Sequence, residues 1–136
     1  MYRNIEGYPD PTAGEALGRI MREEKRQHKA TTRRKIYVAS RYSGDVDENV
    51  RAAIGYCRQV IDMGYMPVAS HLLYPQILDD CDPRERELGL SFGLALLRLC
   101  DEVWVFGKVS PGMVKEIKEA RRLHKRILYM KEVNNE

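Results

Sequence analysis

Apolar and polar positions follow two rhythms along this chain. Short apolar runs rich in β-branched and aromatic residues, Lys35 to Ser40, Tyr65 to Ser70, Glu102 to Phe106 and Ile127 to Met130, read as strands. Between them the apolar positions recur at helical spacing. Val50, Ala53, Ile54, Cys57, Val60 and Ile61 predict a helix from about Asp47 to Met63, closed by Gly64. Asp82 to Glu85 is a capping signal with Pro83 at the first helical position, and the helix it starts runs to about Cys100. A third helix opens at Pro111, with Met113, Ile117, Ala120 and Leu123 as its apolar stripe. Pro67 pushes its strand toward a sheet edge, and His71 to Cys81 reads as a loop. Strands alternating with helices predict an α/β fold, a parallel sheet covered on both faces, with ligands bound beyond the carboxyl ends of the strands.

Before the first strand lies an arm, residues 1–34, which precedes the α/β domain of residues 35–136. Its segment Tyr2 to Pro11 is turn-rich, and Thr12 to Glu15 is a capping box for a short amphipathic helix carrying Leu17, Ile20 and Met21. A polar run, Arg26 to Arg34, ends it. At 136 residues with 43% hydrophobic and 32% charged positions, the composition fits a soluble globular domain. The net charge of +3 is too small to argue for nucleic acid. No apolar run reaches the length of a membrane span and no signal-peptide pattern stands at Met1, so a cytoplasmic location is expected. Three scattered cysteines, Cys57, Cys81 and Cys100, make no disulfide framework, and three scattered histidines suggest no metal site; neither cofactor nor metal is expected.

Candidate chemistry gathers on three turns that the fold class brings to one rim: Ser40 to Gly44, Ser70 to Tyr74 and Gly107 to Gly112. The first offers the hydroxyls of Ser40 and Ser43, the Arg41 guanidinium and the flexible Gly44. The last offers Ser110 and Gly112 at a helix N-terminus, where free N–H groups and the helix dipole favour an anion. Neither turn is a P-loop or a complete dinucleotide fingerprint, and Ser110 as a plain N-cap explains part of the pattern. Glu116 is harder to dismiss. It falls inside the apolar stripe of its helix, while Lys115, Lys118, Glu119 and Arg122 lie on the other side, and no basic residue stands four positions away to pair with it. Tyr37, in mid-strand, suits core packing and a place beside the substrate equally well.

The runs Ile36 to Gly44, Leu99 to Phe106, Ser110 to Glu116 and Lys125 to Leu128 resemble the nucleoside 2-deoxyribosyltransferase superfamily, in particular its deoxynucleoside 5′-monophosphate N-glycosidase branch. His71 to Gln76, Leu78 to Asp80 and Glu87 to Leu90 are similar to a phage and prophage group of unassigned function within it. The resemblance covers about Lys35 to Met130 and implies a three-layer flavodoxin- or Rossmann-like sheet. It also implies that Glu116 is the nucleophile toward the anomeric carbon, with Tyr37 close by. Transferases carry an aspartate where Ser110 stands, whereas the monophosphate hydrolases carry a serine that meets the phosphate. One departure matters: those hydrolases have an aspartate where this chain has Gly93, so a proton for the leaving base must come from Asp79, Asp80, Glu87 or His71, or turnover is lost.

The expectation is therefore a protein that binds a small nucleotide and cleaves its N-glycosidic bond. Its catalytic set is Glu116, Tyr37 and Asp80, and its binding set is Ser40, Arg41, Ser43, Gly44, His71, Gly107, Ser110 and Gly112. A binding protein that kept the pocket without the reaction, for instance one that sequesters a nucleotide signal, is the rival, and a docking adaptor using the arm helix is a third reading. A homodimer or larger assembly is also expected. On the helix from Pro83, Leu88, Phe92, Ala95 and Leu99 make one stripe, and Leu90, Leu94 and Leu97 make another on nearly the opposite side. The second is expected to meet the arm or another subunit.

Overall fold

The structure, a computed structural model, describes residues 11–31 and 33–131. The turn-rich segment expected at the N-terminus lies outside the described residues, apart from Pro11. The chain divides into two compact units, Met1–Arg33 and Arg34–Glu136. In the first, helix α1 spans Pro11–Thr31 and is longer than the capping signal suggested. Its backbone continues into the polar run because Arg, Glu, Lys, Gln and Ala are all strong helix formers.

The second unit holds a parallel sheet of four strands, β1 (Lys35–Ala39), β2 (Met66–Val68), β3 (Glu102–Phe106) and β4 (Arg126–Met130), in the order β2-β1-β3-β4. Helices α2 (Val46–Asp62), α3 (Pro83–Leu99) and α4 (Pro111–Arg122) link them, and two 3-10 turns, Ser70–Leu72 and Tyr74–Gln76, lead from β2 toward α3. The sheet is buried on both faces, as its continuous apolar strands require. Tyr37, Ala39, Val103 and Val105 meet Leu97 of α3 and Met113, Ile117 and Ala120 of α4 on one side. Ile36, Val38, Trp104 and Phe106 meet Tyr56, Cys57 and Val60 of α2 on the other. Stacking of Tyr56 on Phe106, with ring centroids 4.5 Å apart, fixes that second layer.

Local signals set the element ends. Asp45 accepts a hydrogen bond from the Glu48 amide at 3.2 Å to cap α2, and Asp82 accepts one from the Arg84 amide at 2.9 Å to cap α3. Gly64, at φ 93°, turns the chain out of α2 in the left-handed conformation that suits glycine. At the amino end of the sheet the buried Glu102 carboxylate accepts from Arg34 Nε at 3.0 Å and from Trp104 Nε1 at 3.3 Å. Those bonds compensate a charge that burial would otherwise penalise. As Pro67 implied, β2 is an edge strand, and Pro67 sits opposite Ile36.

One expectation is corrected. The stripe Leu90, Leu94 and Leu97 was assigned to an arm or a partner subunit, yet Leu97 is fully buried in this unit's own core. That stripe is divided, since Leu90 stays 40% exposed, and Leu88, Phe92 and Leu99 of the other stripe are exposed as well, Leu99 at 72%. The physical reason is Gly93, buried one turn before Leu97, which lets the helix approach Ser70 and Tyr37 closely.

Two outcomes follow from this packing. Leu97→Ala should cost about 2–5 kcal/mol in denaturant unfolding, while Leu99→Ala should stay within about 0.5 kcal/mol of wild type. The thiols should separate by reactivity, since the thiolate is the reactive form. Cys81 is exposed, and burial pushes Cys57 up from its ordinary value and Cys100 up to about 11. A thiol reagent at mild alkaline pH should label Cys81 first, and Cys100 only when the fold opens. A raised thiol favours the fold below the ordinary value of 9.0, so the Cys100 contribution should fade as pH rises through about 11.

Candidate functional site

Beyond the carboxyl ends of β1, β2 and β3 the sheet opens into a cleft of about 970 Å³, counted out to its open mouth. Each of the three turns singled out in the sequence contributes to its wall: Ser40, Tyr42 and Ser43 after β1, Ser70, His71 and Tyr74 after β2, and Ser110 and Gly112 at the start of α4. Tyr37 of β1 and Pro75, Leu78 and Asp80 ahead of α3 add to it, and the helices contribute Arg86, Gly89 and Gly93 from α3 and Met113, Lys115 and Glu116 from α4.

Glu116 stands in the second turn of α4, 7% exposed. Its Oε1 lies 3.5 Å from His71 Nε2, and its Oε2 is buried with no hydrogen-bond partner among the described residues. A buried carboxylate oxygen without a donor costs on the order of 1–3 kcal/mol or more. A fold carries such a cost where the group has work to do. His71 is fixed in turn by stacking on Tyr42, with centroids 5.3 Å apart and planes 19° from parallel.

Tyr37 reaches the same place from the middle of the sheet. Its hydroxyl shares a 2.8 Å hydrogen bond with Ser70 Oγ, a buried side chain on the first 3-10 turn. Burial, reinforced by the Glu116 charge beside it, holds the phenol well above its ordinary value of 10.0, so it stays protonated. Gly93 completes this corner. A Cβ there would lie 3.2 Å from Ser70 Oγ and 3.5 Å from Tyr37 Oη, so the space beside α3 is already filled by the Tyr37–Ser70 pair.

Other expected residues lie elsewhere. Arg41 folds back on its own turn, its Nε donating to the Ser43 carbonyl at 3.2 Å, with its guanidinium against Gly44; neither residue lines the cleft. Asn49 holds the same turn through the carbonyls of Tyr42 and Ser43, each at 3.0 Å. Gly107, at φ 72°, shapes the turn after β3 without reaching the cleft wall. Of the possible proton donors, Asp80 and His71 line the cleft. Asp79 instead accepts from the Cys81 amide at 2.9 Å, and Glu87 lines a neighbouring hollow. Asp80 is close enough to Tyr42 to add to the upward shift that burial gives that phenol.

Sequence reasoning missed Ser70, Tyr42, Arg86 and Lys115 as lining residues. Ser70 and Tyr42 stood in turns already marked; Arg86 and Lys115 carried no signal, since charged residues on helices are usually solvated. Among the described residues there is no group of three or more His, Cys, Asp or Glu placed to hold a metal, and no helix long and apolar enough to cross a membrane.

Tyr37→Phe should leave Ser70 Oγ buried without its partner and cost about 1–3 kcal/mol. The pH sign is set by the raised phenol: native chains hold the proton longer than unfolded ones, so its stabilising share is present below 10.0 and is lost as pH climbs beyond it. Chemical unfolding across that range should show a weaker alkaline decline in the Phe variant than in wild type.

Comparison with known proteins returns the same architecture. A 2-deoxyribosyltransferase from the psychrotolerant bacterium Bacillus psychrosaccharolyticus superposes with a TM-score of 0.59 at 16% identity, covering 74% of this chain and 77% of that one. A 2-deoxyribosyltransferase from Leishmania mexicana gives a TM-score of 0.49 at 15% identity, over 71% of this chain and 63% of that one. The likeness to the bacterial enzyme, at this level of identity, is one of fold. No curated protein matches the sequence. Residues 34–130, nearly the whole of the α/β unit, match a domain of unknown function, DUF7768, and the chain belongs to that family.

Proposed function

We propose that the protein binds a nucleoside 5′-phosphate in this cleft and cleaves its N-glycosidic bond. The observation that carries the reading is the Glu116 carboxylate, buried in the cleft wall with one oxygen beside His71 and the other unpartnered. A fold shared with a 2-deoxyribosyltransferase supports it.

The chemistry follows from the placement. The Glu116 carboxylate is the nucleophile: His71 steadies Oε1, and Oε2, buried in the wall, has no donor holding it there. Attack on C1′ forms a glycosyl ester as the C–N bond breaks, and its electron pair leaves with the base, which takes a proton from Asp80 on the cleft wall. Water then adds to C1′, returns a proton to Asp80 and releases Glu116 as a carboxylate, giving free base and sugar phosphate. Tyr37 remains neutral throughout and can donate to the sugar or to the carboxylate. Ser110 and Gly112, where α4 begins, offer the phosphate a helix N-terminus, and Ser40 and Ser43 add hydroxyls from the facing turn.

A second reading keeps the pocket and drops the reaction. Gly93 favours it, because an acid cannot be placed there without displacing Ser70 Oγ from its 3.2 Å approach. One experiment separates the two. Incubated with a panel of nucleosides and nucleotides, the wild-type chain should release free base. Glu116→Gln, which keeps shape and most hydrogen bonding, should lose at least about a thousandfold in rate with little change in ligand affinity. Binding without base release in wild type would establish the sequestering reading. Turnover by the Gln variant at the wild-type rate would make Glu116 structural and end the catalytic one.

A further inference from the structure

The cleft does not end at α4. A second hollow of about 610 Å³, including its opening, lies alongside it between the first turns of α3 and the flank of α4, and the two share Asp80, Arg86, Leu90 and Lys115. With Arg41 bonded into its own turn, Arg86 and Lys115 are the arginine and lysine side chains that reach either space. Lys115 stands three residues after Gly112 and so shares its side of α4, which places an ammonium next to the helix N-terminus already suited to an anion. Arg86 faces it from α3, on the side of that helix that carries Gly89 and Leu90. Neither side chain makes an ion pair among the described residues, although Asp80 and Glu87 share the hollow. Two uncommitted cations at the junction of two spaces are placed to take an anionic group that leaves the first and enters the second.

We infer that the hollow between α3 and α4 is a second anion subsite, read by Arg86 and Lys115, and that the ligand is a nucleotide carrying a phosphate beyond the first. This rests on the reading of the cleft as a nucleoside phosphate site. The first phosphate sits at Ser110 and Gly112, and the next is gripped by a forked guanidinium and an ammonium. The acids on the rim hold the net charge of the hollow near balance, so recognition comes from directed hydrogen bonds rather than from a broad positive field.

The test is calorimetric titration of the 136-residue chain carrying Glu116→Gln, which suppresses turnover, against a nucleoside, its 5′-monophosphate, its 5′-diphosphate and inorganic pyrophosphate, for each common base. The diphosphate should bind about tenfold or more tightly than the monophosphate, the gain expected of one added charge-assisted contact. Arg86→Ala and Lys115→Ala, which line both spaces, should each cost the diphosphate more affinity than the monophosphate and so remove most of that gain. Lys118→Ala, which removes an exposed charge from the same helix away from both spaces, should leave the gain intact and so exclude a simple effect of net charge. Equal affinity for mono- and diphosphate, or a gain that survives both substitutions, overturns the subsite. Pyrophosphate binding that depends on Arg86 while no nucleoside or nucleotide binds keeps the subsite and removes the nucleoside reading. Base release from a monophosphate by the wild-type chain, with no gain from the second phosphate in the Gln variant, does the reverse, and a chain that binds none of these compounds overturns both.

Discussion

The structure depends on the pairing of β1 with β3. These two strands run side by side from Ile36 and Glu102 to Ala39 and Val105, and their apolar residues are buried on both faces. Such a pair has no solvent side, so helices must cover it above and below, and crossover connections must bring the chain back parallel each time. That requirement places α3 and α4 on the Tyr37 side and α2 on the Trp104 side. It also sends every strand end to the same rim. The opposite end is closed by Glu102 and its partners Arg34 and Trp104, leaving the carboxyl ends free to carry chemistry.

At that rim the core and the site are continuous. Tyr37 is among the largest fully buried side chains of the molecule and also lines the cleft. Met113 and Ile117 pack in the core on either side of Glu116 in the chain. The carboxylate is thus held by packing and by His71 beside Oε1, while Oε2 is buried without a donor.

Elements with one strong apolar stripe, α2 and α4, were legible in the sequence to within a residue or two, as were the strands and the rim they share. The burial of Glu116 was legible too, because helical spacing alone puts it among Met113, Ile117 and Ala120. Helix α3 was not. It carries leucines on two sides, and spacing cannot say which side faces the sheet; the deciding feature is Gly93, whose meaning appears only when Ser70 and Tyr37 stand beside it. Contacts between residues far apart in the chain were equally hidden, such as Tyr37 with Ser70, 33 positions away. The resting place of Arg41 was hidden for a local reason: its turn offers it a carbonyl, on Ser43.

The other consequence lies at the far side of the sheet. The Met66 amide of β2 donates inward to the Arg34 carbonyl at 3.0 Å, so the nitrogen of the next residue, Pro67, points outward and has no hydrogen to give. With only three residues in the strand, removing that donor leaves the outer border with little to template an incoming chain. Growth of the sheet by strand addition is therefore blocked at this edge.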